Sequence, residues 1–172
     1  MTIEKASATD QAEILALYRL LIGRPGCTWC EEYSDEEIVA EDLHSGSLYC
    51  ARENGSIVGA VSIEWRDGEV EHFDCWSKEN EPAAYLSRVA VSRSTQGKGL
   101  AKELMRRAMA ERKARGIKTA RYPVSPGNEA AMRAYRALAF DFSGEAYAFG
   151  QHCFQAEDGI RDQCRIFRNK VK

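Results

Sequence analysis

The sequence is poor in the features that mark several classes of protein. Only 4 of its 172 residues are proline, and no repeat or low-complexity segment divides it, so one domain of ordinary size is expected. No apolar run approaches the ~18 residues that a membrane span requires. The first residues lack a basic segment followed by an apolar one. We therefore expect a cytoplasmic protein with no membrane partner.

Cysteine is sparse as well, with six residues along the chain. For a cytoplasmic protein we expect reduced thiols rather than a disulfide framework. Cys27 and Cys30 have the spacing of half a zinc site, but no second pair follows at a suitable distance and His44 stands alone. We predict no metal site and interpret the two cysteines as small apolar side chains.

Charge is distributed unevenly along the chain. Residues 1–85 carry 18 acidic and 6 basic side chains, whereas residues 86–154 carry 13 basic and 5 acidic ones. One half then favours a cationic partner and the other an anionic one, unless these faces neutralise each other on folding. The basic stretch 102–115 lacks interleaved aromatic residues, and the whole chain has a net charge of −2, so nucleic acid is not an expected partner.

Hydrophobic periodicity predicts alternating helices and strands after an opening hairpin. The hairpin turn is Asn54-Gly55, the strongest short signal of its kind. Strands are predicted at 2–5, 47–52, 57–65, 85–91, 118–124 and 142–149, and helices around 9–22, 34–46, 100–116 and 128–138. The polar segment 66–82 has no clear pattern. This order predicts an α/β (α+β) domain, a mixed sheet with helices on both sides.

The glycine loop after the strand at 85–91 carries the chemistry. Backbone N–H groups at a helix N-terminus form an anion site that glycines allow a phosphate to approach. The spacing is wrong for a P-loop, and Lys102 stands where a dinucleotide fingerprint needs glycine. The acyl-CoA pyrophosphate loop, Gln/Arg-x-x-Gly-x-Gly/Ala, is matched by Gln96, Gly99 and Ala101.

A second motif follows downstream, where Asn128, Tyr135 and Phe140 match an Asn-x6-Tyr helix that ends at Phe. With both motifs in order, the chain resembles the GCN5-related N-acetyltransferase (GNAT) superfamily over residues 2–154. The resemblance implies the GNAT fold, a mixed and mostly antiparallel twisted sheet of six to seven strands flanked by about four helices. It also implies an acyltransferase with acetyl-CoA as cosubstrate, whose amine substrate attacks directly and forms no covalent enzyme intermediate.

The resemblance implies roles for individual residues. Those expected to bind the cofactor are Val89, Val91, Gln96, Gly97, Lys98, Gly99, Leu100, Ala101 and Asn128. Tyr135 is expected to protonate the departing CoA thiolate, unless it is only a packing aromatic. A base must remove a proton from the attacking amine, because most amines are protonated at neutral pH. Glu64 is the preferred candidate, and Asp74, His72 and Glu81 remain alternatives.

Substrate recognition is expected from the loop between the first two helices. It holds Trp29, Glu31, Glu32 and Tyr33, an acidic and aromatic group suited to a cationic amine, although a solvated loop with one buried Trp has the same composition. We therefore predict acetylation of an aminoglycoside or polyamine-like molecule, an activity of the kind that underlies antibiotic resistance. The alternatives are a protein N-terminal or lysine acetyltransferase and a non-catalytic acyl-CoA-binding sensor domain. Homodimers are common in the family.

The C-terminal segment has an unusual sequence. Residues 155–162, Gln-Ala-Glu-Asp-Gly-Ile-Arg-Asp, resemble one reading frame of a sequencing-library adapter. This likeness predicts that the acetyltransferase domain spans 1–154 and that the tail, 155–172, is not native and either packs poorly or forms improvised structure.

Overall fold

A computed structural model describes residues 1–31, 33, 35–65, 71, 73–76, 81–138, 140–148 and 151–158. The elements are β1 (Thr2–Lys5), α1 (Gln11–Arg19), α2 (Glu36–Ser45), β2 (Leu48–Glu53), β3 (Ser56–Glu64), β4 (Ala83–Val91), α3 (Leu100–Ala114), β5 (Thr119–Val124), α4 (Glu129–Ala137), β6 (Phe140–Ala148) and β7 (Gln151–Asp158). Short 3-10 turns precede α1 and α3. The predicted fold class is confirmed.

The strands form one sheet in the order β1-β2-β3-β4-β5-β7-β6. Neighbouring strands are antiparallel except β4 and β5, which are parallel and pair only from Ala83 to Tyr85 with Thr119 to Arg121. Both strands continue beyond this short ladder, β4 to Val91 and β5 to Val124. Their later residues are not paired with each other, so the sheet opens between them.

The two faces of the sheet carry different helices. Alternate residues of β2 belong to opposite cores, because successive side chains of a strand point to opposite faces. Leu48 and Cys50 pack with α1 and α2, whereas Tyr49 and Ala51 pack with α3 and α4. The cleft between β4 and β5 is therefore reached by helices from both sides of the sheet.

Two predicted helix ends differ from the structure. The apolar stripe extended the first helix to Ile22, but α1 ends at Arg19 and a turn follows, although Leu21 remains buried. The second helix, predicted around 34–46, begins at Glu36, because Asp35 is the N-cap and its carboxylate accepts a hydrogen bond from the Ile38 N–H at 2.8 Å. Apolar spacing continues through a turn, so it locates a helix better than its end.

Strand β7 runs to Asp158, four residues past the predicted domain end at 154. It pairs with β5 and β6, and Ala156 and Glu157 are buried, so the backbone of residues 155–158 continues the sheet. The Glu157 carboxylate accepts a hydrogen bond from Nε of the buried Arg121 at 3.1 Å. Residues 159–172 lie outside the described part, and the non-native origin of the tail stays a prediction.

Strand β4 is irregular beside the opening. Its register against β3 shifts where Ser87 pairs with Ser62 and Ala90 pairs with Ala60. Arg88, within the shift, has a φ of 48°, a left-handed conformation that costs a non-glycine residue roughly 1–2 kcal/mol. Such a conformation persists where surrounding contacts hold it.

Candidate active site

A cleft of about 950 Å³ lies where β4 and β5 separate. Its walls come from both strands, the loop before α3, the start of α4 and the loop after α1. The residues that line the cleft include Gly26, Trp29, Val89, Val91, Gln96, Gly97, Lys98, Gly99, Leu100, Ala101, Tyr122, Asn128 and Tyr135. Every residue predicted to bind the cofactor thus lines one cleft, together with the predicted acid.

The loop before α3 is built as an anion site. Gly97 and Gly99 have φ values of 77° and 86°, which only glycine adopts without strain. In the part of the chain that is described, backbone hydrogen bonds reach the N–H of Gln96 and resume at Glu103. The N–H groups of residues 97–101 are therefore left for an external acceptor at a helix N-terminus. Lys98 adds a positive charge at the same wall.

Cationic side chains that sequence reasoning did not single out also line the cleft. Lys102 follows the loop on α3, Arg133 projects from α4, and Arg24 comes from the loop after α1. Together with the free N–H groups they suit a ligand with several phosphate groups. The only signal for Lys102 and Arg133 was the positive charge of residues 86–154, and Arg24 lies in the acidic first half, where no signal pointed to it.

Helix α4 brings Tyr135 to the cleft. Asn128 is the N-cap, and its side-chain oxygen accepts a hydrogen bond from the Ala131 N–H at 3.0 Å. The Tyr135 side chain is 1% exposed, with its ring centroid 4.2 Å from that of Tyr122. Burial, assisted by Tyr122, raises the pKa of Tyr135 well above its usual value. The phenol is protonated at neutral pH.

Tyr122 is a cleft residue that the sequence did not reveal. It lies on β5 just beyond the last residue paired with β4, and its side chain reaches across the opening. Burial raises the pKa of Tyr122, while hydrogen-bonding interactions with Tyr135 and with the Val89 backbone lower it in part. The only sequence signal was its place in a predicted strand, which is typical of any core aromatic residue.

The loop after α1 closes the cleft on the other side. Gly26 has a φ of 79°, and a Cβ there would lie 3.0 Å from the Gly127 carbonyl oxygen, so this close approach requires glycine. Trp29 lines the cleft, and its ring centroid is 5.3 Å from that of Tyr18 and 6.1 Å from that of Tyr33. The aromatic part of the predicted substrate site is thus assembled.

The acidic part of that site is less defined. Glu31 is exposed, and Glu32 lies outside the described residues. The neighbouring Cys27 lines the cleft, where burial raises the pKa of its thiol, whereas Cys30 is exposed. The interpretation of both cysteines as small apolar side chains stays a prediction, with Cys27 half-buried at the cleft wall and Cys30 at the surface.

Glu64, the preferred base, ends β3 and belongs to an ionic network. Its Oε1 accepts hydrogen bonds from the Ser87 hydroxyl and from Nη2 of Arg88, the latter at 2.6 Å. The same Nη2 donates to Asp42 Oδ1 at 2.8 Å, and Arg88 Nε donates to Asp42 Oδ2 at 2.9 Å. Burial opposes the charge on Arg88, but the carboxylates of Asp42 and Glu64 outweigh it and raise the pKa of the guanidinium.

Glu64 does not line the cleft itself. The ionic network is connected to the cleft through the neighbours of Arg88. Arg88 directly precedes Val89, and its Cζ lies 6.0 Å from the ring centroid of Tyr33. Among the alternative bases, Asp74 and Glu81 are exposed and absent from the cleft, and His72 lies outside the described residues.

Two kinds of site are not found in the described residues. No group of three or more His, Cys, Asp or Glu side chains is placed to hold a metal ion there. None of the helices in that part of the chain is long and apolar enough to cross a membrane.

Comparison with known proteins assigns the family. Residues 14–140 match the model of the family described as "Acetyltransferase (GNAT) family", which covers both motifs and most of the cleft. The resemblance inferred from the motifs is thereby confirmed. A search of curated proteins found no match.

Solved structures share the fold at low sequence identity. A ribosomal-protein-alanine N-acetyltransferase from Brucella melitensis is 21% identical with a TM-score of 0.71, over 92% of this chain and 99% of that one. The Salmonella typhimurium protein yncA, with its cofactor acetyl-CoA, is also 21% identical with a TM-score of 0.71, over 91% and 92%. PaiA N-acetyltransferase from Thermoplasma acidophilum, in complex with coenzyme A, is 18% identical with a TM-score of 0.68, over 92% and 99%.

Proposed function

The chain belongs to the GNAT family of acetyltransferases, and we propose that it transfers the acetyl group of acetyl-CoA to a primary amine of a small cationic molecule, such as an aminoglycoside or polyamine. The observation that carries the proposal is the run of unpaired N–H groups at residues 97–101, which opens into the cleft between β4 and β5. A cytoplasmic place of action and a homodimer are parts of the proposal, and light scattering tests the dimer.

The cleft fits acetyl-CoA. The loop N–H groups and Lys98 suit the pyrophosphate, with Gln96 at the start of the loop and Ala101 in the first turn of the helix. Val89 and Val91 lie on β4 beyond its ladder with β5, where an extended pantetheine arm can add as a strand does, with the Tyr122 side chain interacting with the Val89 backbone. Bound acetyl-CoA supplies a thioester whose acetyl carbon accepts the amine.

Tyr135 is proposed to donate its Oη proton to the departing thiolate sulfur. The raised pKa keeps this phenol protonated, and the capped helix and the contact with Tyr122 fix its ring at the cleft. A general acid must hold its proton at the working pH and lie within reach of the leaving group. Asn128 is proposed to orient the cofactor while its oxygen caps α4.

Glu64 is proposed to accept the proton that the substrate ammonium group loses when it becomes the neutral amine that attacks the thioester. Its carboxylate is 28% exposed, so solvent reaches it while Ser87 and Arg88 hold it in place. Because Glu64 is not a cleft residue, the proton is proposed to travel through an intervening water. The protons balance, because the nitrogen loses two on going from ammonium to amide. Glu64 takes the first before the attack, and the second replaces the proton that Tyr135 gives to the thiolate.

Substrate choice is proposed to depend on the aromatic loop. Trp29 and Tyr33 present rings near the cleft, and aromatic faces attract ammonium groups. The acidic first half of the chain favours the same charge, with Glu31 exposed and Glu32 beside it in sequence. The Brucella melitensis neighbour acts on a ribosomal-protein alanine, which keeps a protein N-terminus as a second candidate acceptor.

The Tyr135→Phe variant tests the catalytic proposal. We expect kcat to fall by about 10²-fold or more while CoA still binds, since the ring is kept and only the acidic proton is lost. Tyr49→Phe is the matched control, because Tyr49 is a buried phenol of β2 outside the cleft. Thiol release from acetyl-CoA and calorimetry of CoA binding are the measurements. A non-catalytic sensor would bind CoA with no turnover in the wild type.

A further inference from the structure

The network around Arg88 shares one nitrogen between two carboxylates. Nη2 donates to Asp42 Oδ1 at 2.8 Å and to Glu64 Oε1 at 2.6 Å. The side chains of Arg88 and Asp42 are 8% and 7% exposed, whereas that of Glu64 is 28% exposed. The Arg88 guanidinium therefore interacts with one buried carboxylate, Asp42, and with one that solvent reaches, Glu64.

This network also secures the irregular part of β4. Arg88 has a left-handed φ, and its guanidinium is tied to α2 through Asp42 and to β3 through Glu64. Asp42 is itself held, because the Ser47 hydroxyl donates to its carbonyl oxygen at 3.2 Å. The buried end of the network is fixed by several contacts, and Glu64 is the end that solvent reaches.

Resting on the proposed role of Glu64, we propose that Asp42 is a positioning residue that keeps Glu64 basic by sharing the charge of Arg88. Without Asp42, the whole guanidinium charge would act on the Glu64 carboxylate and stabilise its ionised form. Asp42 offsets part of that charge from the buried side. It thereby leaves Glu64 able to take a proton.

Other charged and titratable groups face this site. The Tyr33 ring lies beside Arg88, and Tyr18 of α1 is influenced by both Arg88 and Asp42, although burial is the largest cause of its raised pKa. Tyr85 is the register partner of Glu64 on β4, and Ser87 donates to its carboxylate. These groups are neutral at physiological pH, so within this set Arg88 and Asp42 set the electrostatic balance at Glu64.

Two substitutions should move the Glu64 titration in opposite directions. With Asp42→Asn we expect its midpoint to fall by about one pH unit, because a negative charge is lost beside the shared guanidinium. With Arg88→Gln we expect it to rise by about one unit, because the cation is lost. The measurement is carboxyl ¹³C NMR of the full chain, with the Glu64 signal assigned through Glu64→Gln.

Asp10→Asn is the matched control, since Asp10 pairs with Arg52 away from the cleft and should leave the Glu64 midpoint unchanged. Asp42→Glu keeps a carboxylate at this position and should leave the Glu64 midpoint close to its wild-type value, unlike Asp42→Asn. The proposal is supported if the Glu64 midpoint shifts in opposite directions in Asp42→Asn and Arg88→Gln and does not change in Asp10→Asn. It is overturned if the midpoint is the same in both variants or shifts in the same direction in both. Turnover of Glu64→Gln is read separately: full activity there rejects the catalytic role of Glu64 and leaves the NMR result on Asp42 intact.

Discussion

Two arginines of this protein each stand between carboxylates, in different surroundings. Arg52 donates from Nε to Glu4 at 2.7 Å and from Nη2 to Asp10 at 2.6 Å, with Glu13 at 3.7 Å. Its side chain is 23% exposed, and it joins β2 to β1 and to the turn before α1. The Arg88 network is more buried, sits on a left-handed residue and lies next to a cleft strand.

The two networks contain the same kinds of residue but differ in burial and backbone conformation. Ion-pair composition alone therefore does not show whether an arginine stabilises the fold or serves a functional site. Around Arg52 the partners are near in the fold and partly hydrated, so the pairs fasten neighbouring elements and contribute little each. Around Arg88 two of the three charges, Arg88 and Asp42, are buried, and left-handed backbone is held next to a cleft strand. We therefore assign Arg52 to stability and Arg88 to the site.

The largest effect is expected when each arginine is removed. Arg88→Ala leaves Asp42 buried without its cation and should cost about 3–5 kcal/mol in the free energy of unfolding, together with most of the activity. Arg52→Ala should cost about 1 kcal/mol and keep the activity. Urea unfolding and thiol release measure both. Equal losses from the two variants would remove the distinction between the networks.

A pair of glycines extends the comparison to the loop that closes the cleft. Gly23 and Gly26 have φ values of 77° and 79°, but only a Cβ at Gly26 meets the Gly127 backbone. Both alanine variants bear the left-handed strain, roughly 1–2 kcal/mol. We expect only Gly26→Ala to raise KM in addition, because it pushes the loop away from the cleft wall. A similar KM for both variants in steady-state kinetics would contradict this role of the contact.

The smallest effect is expected for the free energy of unfolding when Asp10 of the Arg52 network is substituted, and this effect should depend on pH. Burial opposes the ionisation of Asp10, but hydrogen bonds from Ser7 and Arg52 outweigh it and lower its pKa below 3.8. A carboxyl with a lowered pKa stabilises the fold at neutral pH and loses that contribution as pH falls through the folded-state pKa.

Asp10→Asn should therefore be less stable than the wild type at pH 7, by about 1 kcal/mol or less. The gap should close as the pH falls from about 5 towards 2. Unfolding curves at several pH values measure it, with the exposed Glu129→Gln as control. A gap that is constant with pH would show that the charge of Asp10 is not what stabilises the network.

The sequence predicted the fold and most of the cofactor side of the cleft because local signals define them. The glycine loop and the Asn128 helix are contiguous motifs, and each lies in the predicted context of strand, loop and helix. The prediction for residues 155–158 rested on an unusual sequence alone, and that sequence did not reveal that β7 continues through them or that Glu157 pairs with the buried Arg121.

The charged network around Arg88 could not be derived in the same way. Asp42, Glu64 and Arg88 are distant in sequence and meet only because α2, β3 and β4 pack together. No local sequence pattern predicts that these three side chains are in contact. Tyr122 is a similar case, because its place beside Tyr135 depends on where β4 and β5 separate.

Thiol release from acetyl-CoA, measured against a panel of aminoglycosides, polyamines, amino acids and short peptides, tests the central claim most directly. The account predicts saturable release with the cationic small molecules and its loss in Tyr135→Phe. No release with any member of the panel, while calorimetry still shows CoA binding, would contradict acetylation of a small cationic amine.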